Sequence, residues 1–159
     1  MSASGRNRHR GRRLAETRFK RPESVLVVVY TRAGEVLLLK RCDHPDFWQS
    51  VTGSLEWNEA PADAARRELR EETGLTDGGN IVDYARTCTF EILAEWRHRF
   101  APGVTRNREH VFSLELDARV PVTLQPREHS AWEWLPRDAA AEKVWSWTNR
   151  RAILDIVSG

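Results

Sequence analysis

Three glutamates, Glu68, Glu71 and Glu72, are spaced so that they could bind one metal ion. At about 100° per residue of an α-helix, their side chains fall within one face about 100° wide. Like charges so close repel by a few tenths of a kcal/mol per exposed pair, and a hard cation reverses that penalty. Oxygen ligands without His or Cys suit Mg²⁺ or Mn²⁺ and do not suit zinc. Taken alone, the pattern favours a solvated acidic face balanced by neighbouring arginines, so its wider context decides.

The elements that must position these glutamates are predicted from apolar periodicity and turn residues. Their helix is predicted over residues 61–73, where Pro61 suits the first turn and Gly74 can cap the end. A second helix is predicted to start near residues 146–148 and to end at Val157. Strands are predicted over residues 24–30, 35–41, 47–52, 81–93, 109–116 and 131–135. Because strands and helices mix without strict βαβ alternation, we expect an α/β fold with helices on the faces of a mixed sheet.

The charge of the chain is unevenly distributed. Residues 1–21 contain eight basic residues and one acid, a formal charge of +7, while the other residues carry −5 of the overall +2. Residues 1–18 are rich in Ser, Gly and Arg, which predicts a disordered basic tail. A solvated extension explains this tail better than a nucleic-acid-binding arm, because no aromatic residues alternate with the arginines. One folded domain is predicted over residues 19–159.

Cysteine content and hydropathy limit the cellular setting. Cys42 and Cys88 are the only cysteines, too few for a disulfide framework or a zinc site. No stretch approaches the roughly 18 apolar residues of a membrane span, and the N-terminus has no apolar signal-peptide core. We therefore expect a reduced, cytoplasmic protein without a membrane partner.

The wider context of the glutamates is a series of fixed residues between Gly53 and Leu75. Five residues separate Gly53 from Glu59, and seven separate Glu59 from Arg67. The series continues through Glu68, Leu69, Glu71, Glu72, Gly74 and Leu75. At average residue usage, a chance match is on the order of 10⁻⁹ per start position. In this series the chain resembles the Nudix hydrolases. The resemblance implies a Nudix-type α/β/α sandwich with a mixed β-sheet, and hydrolysis of a nucleoside diphosphate linked to another group.

The resemblance also implies roles for the residues of this segment. Glu68 and Glu72 are expected metal ligands, and Glu71 is expected to ligate metal or to orient the attacking water. The backbone carbonyl of Gly53 is expected as a further ligand. Arg67 is expected to hold the glutamates through charge-assisted hydrogen bonds. The expected cofactor is Mg²⁺, with Mn²⁺ as the alternative.

The loop before the helix departs from the family pattern at one place. Many family members carry Gly before the first glutamate of the series, whereas this chain has Trp57 and Asn58. Asn tolerates a left-handed backbone better than other non-Gly residues, so the loop can still close. Glu59 is expected to support the loop, and the sequence assigns no role to Trp57.

Segments outside this series resemble a narrower group, the Nudix hydrolases that act on a pterin triphosphate in bacterial folate synthesis. The similarity is carried by residues 19–22, 46–54, 90–92, 97–107 and 146–150. By this resemblance Glu128 is expected as a further metal ligand. The expected substrate-binding residues are Lys20, Arg41, Thr52, Phe90, Glu91, Ile92, Leu93 and Ser146.

The implied reaction removes pyrophosphate from 7,8-dihydroneopterin triphosphate and leaves the monophosphate. A hydrolase of oxidised purine nucleoside triphosphates is the alternative, because only the base pocket would differ. A second alternative is an RNA-binding module that uses the basic tail. The intact glutamates argue against it, so we expect a small-molecule substrate and no nucleic-acid partner. The expected assembly is a monomer or a weak homodimer.

Two further sets of residues are candidates whose simpler explanations are at least as good. A basic loop could hold distal phosphates or act as a lid, or could simply be solvated; it contains Arg97, His98, Arg99 and Arg106. Four tryptophans could stack on a flat heterocycle, although core packing is the commoner fate; they are Trp48, Trp96, Trp145 and Trp147. His98 and His129 are candidate acid–base groups that neither position requires.

Overall fold

The computed structural model describes residues 18–159. Apart from Arg18, the predicted tail over residues 1–18 lies outside the described residues. The strands are β1 (Glu23–Thr31), β2 (Glu35–Arg41), β3 (Trp48–Gln49), β4 (Val51–Ser54), β5 (Val82–Glu91), β6 (Arg106–Leu116) and β7 (His129–Pro136). The α-helices are α1 (Pro61–Thr73), α2 (Arg137–Lys143) and α3 (Trp147–Ile156), and a 3₁₀-helix spans Ala94–Arg99.

Strand β1 is the central strand of a seven-stranded sheet in the described part of the chain. The sheet runs in the order β3-β2-β1-β6-β5, with β4 also paired to β1 and β7 to β2. The pairing of β1 with β6 is parallel and the other named pairings are antiparallel. The predicted mixed sheet is therefore confirmed, and its one parallel pair joins segments far apart in sequence.

The side chains of β1 alternate between two apolar cores. Val25 and Val27 belong to the core beneath α1, whereas Leu26 and Val28 belong to the core beneath α2 and α3. Both faces of the strand are buried because successive side chains point to opposite faces of a sheet. Full burial of each such side chain contributes about 1.5–3 kcal/mol. Helices thus cover both faces of the sheet, as the predicted α/β/α sandwich requires.

Helix α1 begins and ends at the predicted residues. Pro61 occupies the first turn, where its missing N–H leaves no helical hydrogen bond unmade. Gly74 has a φ of 75°, and its N–H donates to the carbonyl of Arg70. The buried face carries two glutamates beside its apolar side chains; its members are Ala64, Ala65, Glu68, Leu69, Glu72 and Thr73. The helix therefore brings carboxylates into the interior next to β4.

Several element boundaries differ from prediction. The predicted strand over residues 47–52 is two short strands, because β3 pairs with β2 whereas β4 pairs with β1. The predicted strand over residues 81–93 ends at Glu91, where the chain turns toward the 3₁₀-helix. Strand β6 begins at Arg106 and not at Glu109, because its first residues pair with the end of β5. Helix α2 is not predicted, since seven residues are too few to show helical periodicity.

Candidate active site

Arg67 is the centre of the polar contacts around the glutamates of α1. Its Nε and Nη2 atoms donate to the two carboxylate oxygens of Glu59, each at 2.8 Å. Its Nη1 atom donates to Glu68 at 2.9 Å and to Glu71 at 3.2 Å. Nη2 also donates to the Ser54 carbonyl at 3.1 Å. The rigid guanidinium therefore joins the loop to the helix, and its bonds hold the pKa of Glu59 below its ordinary value.

The loop between β4 and α1 is fastened to the segment that precedes β1. Asn58 has a φ of 70°, the left-handed conformation that closes the loop. The indole Nε1 of Trp57 donates to the carbonyl of Phe19 at 2.8 Å. Nη1 of Arg21 donates to the Glu59 carbonyl at 3.0 Å. Trp57, to which the sequence assigns no role, therefore ties the start of the folded chain to this loop.

Gly53 allows the Glu68 carboxylate to approach the backbone of β4. A Cβ atom at Gly53 would lie 2.1 Å from Cδ of Glu68, far inside van der Waals contact. Any larger residue would therefore displace that carboxylate. The glycine is required here by close approach, because its φ does not lie in the left-handed region.

The two buried glutamates of α1 are difficult to ionise without a cation. Glu72 is 2% exposed, and one of its oxygens accepts a hydrogen bond from the backbone N–H of Thr52 at 3.2 Å. Burial raises the pKa of Glu72 well above its ordinary value, and the charges of Glu68 and Glu128 raise it further. Burial raises the pKa of Glu68 to about 7. A bound divalent cation would offset both desolvation and repulsion.

A third carboxylate approaches Glu72 from the start of β7. One oxygen each of Glu72 and Glu128 and one ring nitrogen of His129 lie within 4.8 Å of one another. Burial and the charge of Arg41 lower the pKa of His129 to about 4, so its imidazole is neutral at pH 7. Glu71 differs, because its side chain is 52% exposed and contacts Arg67. The donors around Glu72 are mainly carboxylate oxygens, and such a set fits a hard divalent cation.

A cavity of about 810 Å³ lies beside these carboxylates. The basic side chains that line it include Lys20, Arg41, Arg99 and Arg127. Burial lowers the pKa of Lys20, and the charges of Arg99 and Arg41 lower it further. Arg41 is held in place by Asp43, whose two oxygens accept hydrogen bonds at 2.7 and 2.6 Å. Positive charges packed so closely favour an anionic ligand beside them.

Aromatic side chains also line the cavity, and the guanidinium of Arg41 lies over the ring of Trp96, 4.6 Å from its centroid. Trp145 stacks on Phe47 with ring centroids 4.5 Å apart, and Trp96 meets Trp145 edge-on at 5.6 Å. Trp147 also lines the cavity and is 56% exposed. Trp48 instead lies beneath the Lys143 ammonium, 4.2 Å from ring centroid to nitrogen, and packs against the core under α2 and α3. Three of the four candidate tryptophans therefore reach the cavity.

The predicted site residues converge on this one cavity with a single exception. The lining residues include Arg67, Glu68, Glu72, Glu128, Gly53, Lys20, Arg41, Thr52, Phe90, Glu91, Ile92, Leu93 and Ser146. The exception is Glu71, which points outward along α1. Ser146 also accepts a hydrogen bond from the Asn149 N–H at 3.3 Å, so it caps α3 as well. Of the basic-loop candidates, Arg99 lines the cavity, while Arg97 donates to the Ile92 carbonyl at 3.1 Å.

Several polar residues that line the cavity are outside the predicted set, among them Arg21, Asn107, Glu109 and Asn149. Asn107 and Glu109 are buried at alternate positions of β6, on the face that also carries the buried side chain of Val111. A polar residue at one of the alternating strand positions that face the interior indicates, from sequence alone, a candidate functional group. Asn149 offers a similar signal, because it lies three and four residues before Ala152 and Ile153 and so falls on the apolar face of α3.

Comparison with known proteins agrees with this geometry. The NUDIX domain family matches residues 20–156, so this chain belongs to that family of hydrolases, which use divalent metal ions. The dihydroneopterin triphosphate diphosphatase of Escherichia coli strain K12 is 46% identical over 143 residues, covering 87% of this chain and 94% of that protein. The protein of that name from Haemophilus influenzae is 40% identical over 140 residues, covering 85% and 87% respectively.

A solved structure extends the comparison to three dimensions. The structure of the E. coli dihydroneopterin triphosphate pyrophosphohydrolase matches this fold with a TM-score of 0.83 at 46% identity. The match covers 87% of this chain and 97% of that one. The predicted Nudix fold and hydrolase class are therefore confirmed. Separately, none of the helices described in residues 18–159 is long and apolar enough to cross a membrane.

Proposed function

We propose that this chain hydrolyses 7,8-dihydroneopterin triphosphate to the monophosphate and pyrophosphate, with Mg²⁺ as its cofactor. The observation that carries the proposal is that carboxylates, basic side chains and an aromatic wall surround one cavity of about 810 Å³. Such a cavity can take a polyphosphate and a flat ring together. Two relatives that bear the name of this activity, at 46% and 40% identity, support the choice of substrate.

The carboxylate end would hold the metal. Glu68, Glu72, Glu128 and the Gly53 carbonyl are the proposed ligands, and Mn²⁺ could replace Mg²⁺ there. When bound, the metal neutralises the triphosphate and polarises its phosphoryl oxygens. The fit rests on two buried carboxyl groups whose pKa values are raised and on the space that Gly53 leaves for one of them.

The other charged residues would place the reacting groups. Lys20 and Arg41 bind phosphate oxygens, and Arg67 keeps Glu68 in its position through their 2.9 Å contact. Glu71, exposed beside Arg67, orients the attacking water or adds a ligand. In the reaction a water oxygen bonds to phosphorus, the bond from that phosphorus to the bridging oxygen breaks, and pyrophosphate leaves. Because these groups are already positioned, little reorganisation precedes the reaction.

The pterin would lie at the end of the cavity farthest from α1. Phe90, Glu91, Ile92 and Leu93 form one wall, where β5 ends, and Ser146 lies at the start of α3. The side chains of Phe90 and Leu93 are half-buried, so they keep apolar surface available to a ring. Trp147 adds an exposed indole to the same space.

A substrate panel tests the proposal. Pyrophosphate release is measured with 7,8-dihydroneopterin triphosphate, the ordinary nucleoside triphosphates and 8-oxo-dGTP, each with Mg²⁺ and with chelator. We expect the pterin substrate to have the highest kcat/KM and chelator to abolish turnover. A higher kcat/KM for the oxidised purine would replace our proposal with the alternative hydrolase, because the metal end would serve both reactions.

We also propose a cytoplasmic monomer or weak homodimer. The free thiols of Cys42 and Cys88 support a reducing compartment. Light scattering at increasing protein concentration tests the assembly, and cell fractionation tests the compartment. A stable higher oligomer or a secreted protein would contradict these two statements without affecting the proposed reaction.

A further inference from the structure

Glu109 is a buried carboxyl group that the proposed reaction does not use. It lies in β6, with its Cα paired to Ser24 of β1 on one side and to Cys88 of β5 on the other. Its residue surface is only 4% exposed, yet it lines the cavity. Its Oε1 atom has no hydrogen-bond partner within the described part of the chain. Such an atom is expensive to bury and calls for a ligand that donates to it.

The polar neighbours of Glu109 bond to one another. The amide nitrogen of Asn107 donates to Ser24 Oγ at 2.7 Å. The amide of Asn149 donates to Ser50 Oγ at 2.9 Å, and its oxygen accepts from the Ser50 N–H at 2.8 Å. Glu109 therefore stands out as the group left without its full set of partners. The amide groups of Asn107 and Asn149 have hydrogen-bond partners within the protein, whereas Oε1 of Glu109 is left without a donor within the described part of the chain.

Glu109 is also separate from the proposed metal ligands. The carboxylates that raise the pKa of Glu72 are Glu68 and Glu128. Burial is what raises the pKa of Glu109, to about 7, and a hydrogen bond with Thr148 opposes the rise. Thr148 belongs to α3, and α3 is on the face of the sheet opposite α1. A second role within the metal cluster is therefore not the explanation.

We propose that Glu109 selects the substrate by accepting hydrogen bonds from a ring edge on which an amino group lies beside a ring N–H. This inference rests on the proposed function, because the 2-amino group and N3–H of a pterin form such an edge. A carboxylate offers two acceptor oxygens in one plane and no donor when ionised, so it matches two adjacent N–H groups. A ring with a carbonyl in place of the amino group would place its carbonyl oxygen next to a carboxylate oxygen of Glu109, and two acceptors repel each other.

The test compares two substrates and three proteins. The substrates are 7,8-dihydroneopterin triphosphate and its analogue with oxygen in place of the 2-amino group. The proteins are the wild type, Glu109→Gln and the matched control Glu115→Gln, which alters an exposed glutamate farther along the same strand. We expect the wild type and the control to favour the amino substrate by about 10- to 100-fold in kcat/KM, the range for a hydrogen bond to a charged group.

Glu109→Gln should lose most of that preference. Its kcat/KM for the amino substrate should fall about 10- to 100-fold, while that for the oxo analogue should hold or rise, because an amide N–H can donate to the new carbonyl. Thermal unfolding provides the second measurement. The Tm of Glu109→Gln should not fall, because no hydrogen bond of Oε1 is lost and a buried charge is removed.

Three results would overturn the assignment. The first is a wild type that hydrolyses both substrates equally well, which needs no variant to observe. The second is a Glu109→Gln protein with unchanged substrate preference. The third is an equal loss of kcat/KM on both substrates with a lowered Tm, which would make Glu109 a structural residue. Failure of the proposed function looks different: the wild type would then prefer a nucleoside triphosphate to both pterin compounds.

Discussion

The two ends of the cavity are built in opposite ways. At the metal end, most of the proposed ligands come from one continuous segment, in which Gly53, Arg67, Glu68 and Glu72 are brought together by a loop and one helix. At the ring end, the lining residues come from β1, β5, β6 and the start of α3. Local geometry thus positions the proposed metal ligands, whereas tertiary packing shapes the part of the cavity proposed to recognise the ring of the substrate. A substitution at the metal end should therefore lower kcat, and a substitution at the ring end should change substrate preference.

The largest effect is expected from Glu72→Gln at the metal end. We expect kcat to fall by roughly 10³-fold, comparable to losing a group that stabilises the transition state. The Tm should stay the same or rise, because the amide avoids the cost of a buried charge. Steady-state kinetics and calorimetry check this. Glu142→Gln, an exposed glutamate of α2, is the control. Near-normal turnover of Glu72→Gln would show that Glu72 does not hold the metal.

Gly53→Ala should act on the same end through its neighbour. The added methyl group needs the space of the Glu68 carboxyl, so we expect that side chain to move and kcat to fall about 100-fold. The protein should still fold, because the carboxyl end of the Glu68 side chain can move without a shift of the backbone. Combining this change with Glu68→Gln should cost little more than Glu68→Gln alone, since both changes remove the same contact. Additive losses in kcat would mean that Gly53 acts independently of Glu68.

Bound metal should stabilise the folded protein most at the pH values at which Glu68 and Glu72 lose their protons. The raised pKa values of Glu68 and Glu72 make the folded protein bind protons more tightly than the unfolded chain. Metal-free stability is therefore lost as pH rises from about 4.5 through about 7 and beyond. The lowered pKa of His129 acts in the opposite sense between about 4 and 6.5, so the net fall should be clearest above pH 6.5.

Thermal unfolding with and without Mg²⁺ measures this effect. We expect the metal-free Tm to fall by several degrees between about pH 6.5 and 8, and Mg²⁺ to raise the Tm more at the higher pH, where its ligands are deprotonated. Glu109 has a raised pKa as well, so Glu109→Gln should keep the Mg²⁺ response while losing part of the pH response. A Mg²⁺ response that does not change with pH would contradict the assignment of Glu68 and Glu72.

The smallest effect is expected at the ring end, from Trp147→Ala. Loss of an indole beside the ring should raise KM for the pterin substrate about 3- to 10-fold and leave kcat nearly unchanged. Trp132→Ala is a matched control, because Trp132 is 44% exposed, close to the 56% of Trp147, but does not line the cavity. A fall in kcat with unchanged KM for Trp147→Ala would contradict the proposal that the ring end determines substrate binding and the metal end determines kcat.

The same division explains how far the sequence could be interpreted. The bounds of α1 follow from Pro61 and Gly74, so local residue types are sufficient to predict them. The role of Arg67 toward the glutamates is expected only through resemblance, and the sequence does not predict its contact with Glu59. Glu128 could be proposed only through resemblance, because its approach to Glu72 depends on the register between β7 and β2. Glu109 carries only part of a sequence signal, as a polar residue at a buried strand position. Whether a strand residue faces a core or a cavity is decided by what packs opposite it.

The parallel pairing of β1 with β6 has a consequence for how the protein folds. Nine residue pairs, from Glu23 with Arg108 to Thr31 with Leu116, join strands between which most of the other elements lie along the chain. Closing so long a loop is slow, and on a ribosome it must wait until β6 has been made. Helix α1 is synthesised early, but the sheet that supports it is completed late. A truncated chain that ends before β6 should therefore be inactive and prone to aggregate, however complete its glutamates are.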